Sequence, residues 1–309
     1  MKVVIIGGGI CGLYLSWKLS KAGHNVSVFE RKSEIGNKIC SGLFSERILD
    51  FIPKSKILIQ NTIKSAVLRF PKKTINLYFS KNFFVMSHFE MDKLVAELAK
   101  QTGAEIILNS NISSFPKGYD RIIGCDGADS FTRKNLGLPS PNLRLGILGF
   151  SGNGSFDNFV EIWPHKENGF IWKIPQGSET EYGIISNPKT ANAFLNDFLE
   201  KNKIILMEKA AKIIPCGFSI PRNKTITVCG DAAGLAKNWS GGGVIWGLTA
   251  ANILLKNFPD FLKYEKEAAK FFKPKIIISK FAAKAVYYFG FNFPYFLPKR
   301  AKMESDFLF

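Results

Sequence analysis

The first 30 residues carry the feature that most constrains the fold. The apolar run from Val3 to Ile6 is typical of a buried parallel strand. Three glycines follow it with the spacing G-x-G-x-x-G, at Gly7, Gly9 and Gly12, and an amphipathic segment and a second apolar run lead to Glu30. Strand, glycine turn, helix, strand and acid in this order predict a βαβ unit of the Rossmann type.

This arrangement also predicts a ligand. Glycines permit a tight turn and the close approach of a pyrophosphate, the helix N-terminus offers free N–H groups, and the acid accepts hydrogen bonds from a ribose. We therefore expect a bound dinucleotide, either FAD or NAD; the alternative is a glycine turn that only packs. The expected cofactor-binding residues here are Gly7, Gly9, Gly12, Glu30 and Arg31.

A second glycine-rich segment, "CGDAAGLAKNWSGGGVIWGLTAA", spans residues 229–251. Asp231 directly follows a glycine, and the run Gly241, Gly242 and Gly243 precedes an apolar stretch with helical spacing. A surface loop needs no triple glycine, whereas a backbone that must contact a ligand does. A structural turn capped by Ser240 is the alternative.

Composition narrows the classes of partner and site. The chain of 309 residues has 42 Lys and Arg against 25 Asp and Glu, a net charge of +17, which favours an anionic partner or reflects a generally lysine-rich proteome. No aromatic–glycine RNA-binding motif accompanies its 28 Phe, so nucleic acid is not expected. The five cysteines are scattered without C-x-x-C, which predicts neither a metal site nor a disulfide framework.

The order of apolar patterns predicts an α/β fold with an α+β insert. We expect a Rossmann-like dinucleotide-binding domain, an inserted antiparallel-sheet substrate lobe and a short helical C-terminal region. The first is assigned to residues 1–62, 85–141 and 217–258, the lobe to residues 63–84 and 142–216, and the C-terminal segment to residues 259–309. No signal peptide and no spanning helix are predicted, so a cytoplasmic location is expected.

Three segments, "GGGICG", "IIGCDGADS" and "CGDAAGLAKNWSGGG", occur in the order found in FAD-dependent oxidoreductases of the para-hydroxybenzoate hydroxylase fold. Within that group the chain resembles the geranylgeranyl reductases, as a short archaeal-type member. "GFIWKIP" (169–175) is similar to their aromatic substrate motif, and "KICSG" (38–42) to the stretch that carries a cysteine near the flavin. The resemblance covers residues 1 to about 255.

The resemblance implies a function and a set of site residues. FAD is the implied cofactor, bound by Asp126, Asp231 and Gly241 to Gly243, and Cys40 and Trp172 are the implied catalytic residues. The implied reaction saturates isoprenoid double bonds of a prenylated lipid, with electrons from NADPH or a ferredoxin-like donor. A flavin monooxygenase acting on an aromatic or quinone substrate is the alternative enzyme, and a non-catalytic lipid-binding flavoprotein the alternative outside enzymes.

Each implied residue also has a simpler interpretation. Asp126 could cap a strand-end turn, Cys40 could be a small buried hydrophobe, and Trp172 could belong to the core of the lobe. The chain departs from the family where Asn238-Trp239 replaces a frequent proline and His88 replaces a frequent arginine. It is also shorter than most relatives, and much of their C-terminal region is expected to be missing.

The segment 270–300 combines Phe, Tyr and Ile with seven basic residues and no acid. Lysines interrupt it too often for a spanning helix, and Pro274, Pro294 and Pro298 are expected to break one. Basic residues beside large apolar ones favour peripheral contact with an anionic membrane surface. Packing on the sheet lobe as ordinary core is the alternative.

Overall fold

The computed structural model describes residues 1–36, 40–304 and 306. The strands are β1 (Lys2–Ile6), β2 (Asn25–Phe29), β3 (Leu43–Ser45), β4 (Ile59–Phe70), β5 (Lys73–Met86), β6 (Glu105–Ile107), β7 (Arg121–Gly124), β8 (Asn142–Ser151), β9 (Phe159–His165), β10 (Gly169–Pro175), β11 (Thr180–Ser186), β12 (Met207–Cys216), β13 (Ile226–Val228) and β14 (Arg300–Met303). The α-helices are α1 (Ile10–Lys21), α2 (Ile48–Phe51), α3 (His88–Gln101), α4 (Phe131–Asn135), α5 (Ala191–Lys201), α6 (Val244–Asn257) and α7 (Phe261–Asn292).

The first sheet is parallel and five-stranded, in the order β13-β7-β1-β2-β6. Its central strand β1 pairs with β2 and β7, and its apolar residues are buried on both faces. One face packs against α1, α3 and α6 in the main hydrophobic core, which explains why β1 is continuously apolar. The predicted strand–glycine turn–helix–strand unit is therefore confirmed, with α1 beginning at Ile10.

The second sheet has nine strands, in the order β12-β8-β11-β10-β9-β4-β5-β14, with β3 also paired to β5. Most neighbours are antiparallel; β4 with β9 and β14 with β5 are the parallel pairs along this order. The predicted strand-rich lobe is thus present. It also contains α5, which the sequence did not predict, and Leu195 of that helix packs on the sheet beside Ile184.

The C-terminal region differs from its prediction. Helix α7 is 32 residues long and continues through Pro274, so the expectation that this proline breaks the helix was wrong. Proline removes one hydrogen bond from the helix interior. The buried residues on its first four turns, Phe261, Tyr264, Ala268 and Phe272, hold the helix against the core on one side of the proline. This packing therefore keeps the helix continuous although Pro274 removes one of its hydrogen bonds.

Beyond the proline, α7 lies against the lobe. Tyr287 and Phe291 make edge contacts with the ring of Phe70, and the Tyr287 hydroxyl donates to the Gly169 carbonyl at 3.0 Å. Strand β14 then joins the second sheet beside β5. The C-terminal region is therefore a long helix and an edge strand that embrace the lobe, rather than a short helical addition.

Gly290 tests how tightly α7 is docked. A Cβ atom at this position would overlap the ring of Phe70, whereas Ala285 on the same helix is exposed. We expect Gly290→Val to lower the free energy of unfolding by about 1–3 kcal/mol, as overpacking usually does. Ala285→Val is the matched control. Denaturant unfolding of both variants measures the difference, and equal losses would contradict the docking.

Candidate functional site

Two cavities lie at the carboxyl ends of the parallel strands. One, here the glycine-turn cavity, has a volume of about 220 Å³ and is lined by the turn between β1 and α1 and by the end of β2. The other, here the lobe cavity, has a volume of about 270 Å³ and lies between the two sheets. Both are lined by Gly9, Asp92, Cys125, Gly127 and Lys212. The two cavities therefore adjoin each other along these residues.

Each glycine of the first turn is required for a different physical reason. Gly7 has φ +108°, and a Cβ there would overlap the Cys125 carbonyl; a Cβ on Gly12 would overlap the Gly7 carbonyl. A Cβ on Gly9, in contrast, would meet no atom of the described residues within 4 Å and would point into open space. Gly9 also caps the start of α1 without a side-chain hydrogen bond. Packing requires Gly7 and Gly12, whereas Gly9 leaves room for a ligand at a helix N-terminus.

Glu30 follows β2, as predicted, and lines the glycine-turn cavity together with Arg31. One carboxylate oxygen accepts a hydrogen bond from the Gly8 N–H at 2.6 Å, and the other accepts one from the Lys32 N–H at 2.9 Å. The acid therefore holds the glycine turn in place. It also presents lone pairs toward the cavity.

Asp126 lines the same cavity, but its carboxylate is engaged in capping. It accepts hydrogen bonds from the Ser130 hydroxyl at 2.6 Å and from the Thr132 N–H at 2.8 Å. The contacts of the Asp126 side chain are therefore those of a capping residue, as in the simpler interpretation of the sequence. Asp129 also lines this cavity, and its exposed carboxylate pairs with Lys134.

The triple glycine leads into α6, which begins at Val244 and has Gly243 at its N-cap. Gly241 has φ +71°, a conformation that favours glycine. A Cβ on Gly243 would lie 2.9 Å from a carboxylate oxygen of Asp231. The acid, the three glycines and the helix N-terminus thus form one wall of the lobe cavity.

Lys212 was not predicted as a site residue. It lies on β12 of the second sheet, and its Nζ atom is 3.2 Å from the Asp231 carboxylate beside the first sheet. Asp231 raises the pKa of Lys212 and outweighs the opposing effect of burial. This ion pair connects the two sheets at the point where the cavities join. The local sequence "EKAAKIIP" gives no signal for this, since the contact depends on tertiary packing.

Cys40, His88 and Asp92 line the lobe cavity together. His88 and Asp92 are one turn apart on α3, with 3.4 Å between Nε2 and the carboxylate, and both are buried. Burial opposes charge on His88, but Cys40 and Asp92 outweigh it and raise its pKa to about 10. Burial also raises the pKa of the Cys40 thiol, but His88 outweighs that effect and the pKa lies below its usual value. The site therefore holds a cationic imidazole next to an acidic thiol.

The predicted aromatic motif divides between cavity and core. Trp172 lines the lobe cavity, Phe170 packs near it with 6.0 Å between ring centroids, and Ile174 is buried in the core of the lobe. The Trp172 indole N–H donates to Glu181 at 2.6 Å. Glu181 is fully buried, and burial raises its pKa to about 8. Sequence reasoning missed this acid, because alternation in "TEYGIIS" does not show which face a strand buries.

The cysteines are scattered in sequence, but Cys40 and three others line the lobe cavity. Cys11 opens α1, and Cys125 and Cys229 follow β7 and β13, the strands beside each other in the first sheet. All five thiols are free. Among the residues that the structure describes, no group of three or more His, Cys, Asp or Glu side chains could hold a metal ion.

Almost every predicted site residue lines one of the two cavities; Gly12 instead packs behind the turn. The glycine-turn cavity receives Gly7, Gly9, Glu30, Arg31 and Asp126. The lobe cavity receives Cys40, Trp172, Asp231, Gly241, Gly242 and Gly243. Of the "KICSG" stretch, Lys38 and Ile39 lie outside the described residues. The structure thus brings residues from distant parts of the sequence together around two adjoining cavities.

Comparisons with known proteins bear on the predicted resemblance and on the fold. A family model described as an NAD(P)-binding Rossmann-like domain matches residues 5–51. A digeranylgeranylglycerophospholipid reductase of Methanococcus vannielii is 26% identical over 284 residues, which cover 78% of this chain and 72% of the relative. A second reductase of that name, from Methanosphaera stadtmanae, is 26% identical over 290 residues, covering 80% of this chain and 72% of the relative.

The fold is shared with a geranylgeranyl bacteriochlorophyll reductase-like protein of Thermoplasma acidophilum, at a TM-score of 0.80 and 21% identity, with 93% of this chain and 87% of that chain covered. A flavin-dependent brominase also shares it, at a TM-score of 0.77 and 13% identity, covering 94% and 89%. The predicted resemblance and fold class are confirmed.

The paired charges around Cys40 give a testable pH effect. Because His88 lowers the thiol pKa, replacing it should raise that pKa and leave less thiolate at pH 7. We expect His88→Ala to slow alkylation of Cys40 about tenfold for each pKa unit regained, and to move the midpoint of the rate profile to higher pH. Peptide mass spectrometry after timed iodoacetamide treatment measures the rate at each cysteine. His24→Ala is the control, and unchanged Cys40 rates in His88→Ala would refute the pairing.

Proposed function

The chain is a relative of the archaeal digeranylgeranylglycerophospholipid reductases, and from this premise we propose that it is an FAD-dependent reductase of isoprenoid double bonds in a prenylated lipid. The observation that carries the proposal is the pair of adjoining cavities. A dinucleotide-type glycine turn lines one of them. In the other, a helix N-terminus faces an aromatic and apolar wall.

The residues present fit FAD. Gly9 leaves open space at the start of α1, where the helix N-terminus favours a pyrophosphate, and Glu30 and Arg31 line the adjoining cavity where a ribose would be held. The N-terminus of α6 and its three glycines would face the flavin, with Asp231 beside them. When bound, the flavin supplies the hydride that reduces the double bond. Solved structures with this fold include FAD-dependent halogenases, which supports this cofactor.

The lobe cavity suits a prenyl chain. The second sheet lines it with apolar side chains, which are Leu43, Phe44, Phe83, Leu148, Trp172, Ile185 and Ile214. Such a wall would bind a hydrocarbon chain and keep water away from it. An isolated alkene is a poor hydride acceptor, so its orientation in this cavity should dominate the rate.

We propose Cys40 and His88 as the groups that hold a proton beside the substrate. The imidazole stays protonated at neutral pH because Asp92 and Cys40 stabilise its charge against burial. Both groups also act on the imidazole through side-chain hydrogen bonds. A proton could therefore pass from the His88 imidazolium, through the Cys40 sulfur, to an alkene carbon.

The test is an anaerobic single turnover. The chemically reduced holoprotein is mixed with a geranylgeranylated glycerophospholipid, and the lipid is analysed by mass spectrometry. The proposal requires a gain of two hydrogen atoms per reacting double bond together with reoxidation of the flavin. Parallel reduction with NADPH or with a reduced ferredoxin identifies the donor class. A product that forms only with oxygen and gains an oxygen atom would instead support the monooxygenase alternative.

We further propose that α7 rests on an anionic membrane surface at the cytoplasmic side. While Tyr287 and Phe291 face the lobe, the opposite side of the helix and the turn after it expose Ile277, Ile278, Phe281, Tyr295 and Phe296 at 56–91%. Exposed lysines at 280 and 284 stand between these residues. Apolar side chains flanked by basic ones favour contact with anionic headgroups, and each lysine contributes about 1 kcal/mol. The prenylated substrate would be present in that surface.

Within the described residues, no helix has both the length and the apolar character needed to cross a membrane.

Cofactor retention tests the assignment of the two acids. Loss of Glu30 or Asp231 removes hydrogen-bond acceptors from the proposed FAD site, so Glu30→Ala and Asp231→Ala should each weaken FAD binding at least about tenfold. Dissociation constants come from titrating FAD into the deflavinated proteins. Asp197→Ala, which removes an exposed acid that lines neither cavity, is the control. Full affinity in both site variants would count against this assignment.

Vesicle flotation tests the membrane contact. Truncating α7 would also remove core residues, so a double substitution of exposed residues, Ile278→Ser with Phe281→Ser, is the better variant. We expect the wild type to float with vesicles containing phosphatidylglycerol, less so at high salt, and the double variant to float several-fold less. The control pair, Ile57→Ser with Phe156→Ser, removes equally exposed apolar side chains elsewhere. The contact would be refuted if the wild type does not bind vesicles at low salt. It would also be refuted if the α7 double variant binds as well as the control double variant.

A further inference from the structure

A buried acid lies behind the aromatic wall of the lobe cavity, and the reaction proposed above does not use it. We propose that Glu181 is a positioning residue that fixes the Trp172 indole as a rigid wall of the substrate cavity. This inference rests on the proposed function for its kinetic consequence. Its structural content concerns only residues of this chain.

The contacts are direct. The Trp172 indole N–H donates to one carboxylate oxygen of Glu181 at 2.6 Å, and the Gln176 side-chain amide donates to the other at 2.8 Å. The same amide nitrogen lies 3.3 Å from the Ser41 carbonyl, to which it also donates. Glu181 therefore connects the indole, through Gln176, to the segment that carries Cys40. Two cavity-lining residues from separate elements share one anchor.

The strand pairing adds a second constraint on the indole. Strands β10 and β11 are antiparallel, with Trp172 opposite Gly183. A Cβ on Gly183 would overlap the indole ring, so the ring lies across the backbone of β11 where no side chain could fit. Gly183 thus defines the plane beneath the ring, and Glu181 defines its rotation by holding the N–H. Together they leave the indole one orientation.

The acid itself is unusual for a packing residue. Glu181 is fully buried, and its hydrogen-bond donors are neutral groups. Desolvation of a carboxyl group is costly, and burial raises the pKa of Glu181 to about 8. The nearby titratable group Cys40 also raises the pKa of Glu181. An apolar residue would fill the space at lower cost, so the specific bond to the indole explains the acid better than packing does.

The consequence for the reaction concerns orientation more than affinity. Without Glu181 the indole can rotate, while the cavity stays apolar and still binds a prenyl chain. The chain would then sit less often in the reactive geometry. Loss of the anchor should therefore lower kcat much more than it raises KM.

A double-mutant cycle tests the inference in the holoprotein. The variants are Glu181→Ala, Trp172→Phe and their combination, with Glu181→Gln as the conservative variant that keeps an acceptor oxygen. Glu179→Ala, which removes an exposed acid from the preceding turn, is the control. Should Glu181→Ala fail to fold, Glu181→Met, of similar size and without an oxygen acceptor, takes its place.

Two readouts are needed. One near-UV circular dichroism band is present in the wild type and absent from Trp172→Phe. This band reports that the indole is held in one orientation, and it does not depend on catalysis. We expect Glu181→Ala to lose that band, and Glu181→Gln and Glu179→Ala to keep it. For lipid reduction, we expect Glu181→Ala to lower kcat about tenfold with KM changed less than about twofold, and to add almost nothing in the Trp172→Phe background.

The outcomes separate this inference from the proposed function. A Glu181→Ala protein that keeps the Trp172 band, or whose kinetic loss is undiminished in the Trp172→Phe background, overturns the inference. A wild type that reduces no prenylated lipid overturns the proposed function. In that case the dichroism of the same variants still decides whether Glu181 fixes the indole.

Discussion

The close approach of backbone segments at the ends of β1, β7 and β13 is the constraint on which the rest of the structure depends. Gly7 touches the Cys125 carbonyl, Gly12 touches the Gly7 carbonyl, and Gly230 and Gly247 enclose the side chain of Cys11. No Cβ atom fits at these contacts, so the floor of the site is made of glycine and small thiols. This compactness leaves an open space above Gly9 rather than a packed turn. A helix N-terminus then faces that space, which suits an anionic group.

The second sheet completes the site by bringing side chains to that floor. Lys212 reaches from β12 to Asp231 and joins the two sheets where the cavities meet. Trp172, held by Glu181, supplies an aromatic wall, and Cys40 and His88 supply polar groups beside it. The two sheets contribute different kinds of surface. The parallel sheet offers backbone groups and helix dipoles for a dinucleotide, and the lobe offers apolar surface for a hydrocarbon chain.

The parts that sequence could predict were those encoded by local pattern. The first turn could be identified because its strand, its glycines (Gly7, Gly9 and Gly12) and Glu30 follow one another along the chain. The triple glycine predicts α6 in the same way, because it directly precedes that helix. Lys212 and Glu181 could not be found, because their roles depend on which distant strands become neighbours. Pro274 was misjudged since a local rule about helix breaking was applied where packing of the whole of α7 decides.

The proposed FAD site extends through both cavities, with the prenyl-binding wall beside the flavin. A crystal structure of the FAD-loaded protein tests this placement. It should show the adenosine beside Glu30, the pyrophosphate over Gly9, and the flavin ring between Gly241–Gly243 and the wall carrying Trp172 and Cys40. A flavin ring located outside the lobe cavity, or a protein that binds a nicotinamide dinucleotide there and no FAD, would contradict it.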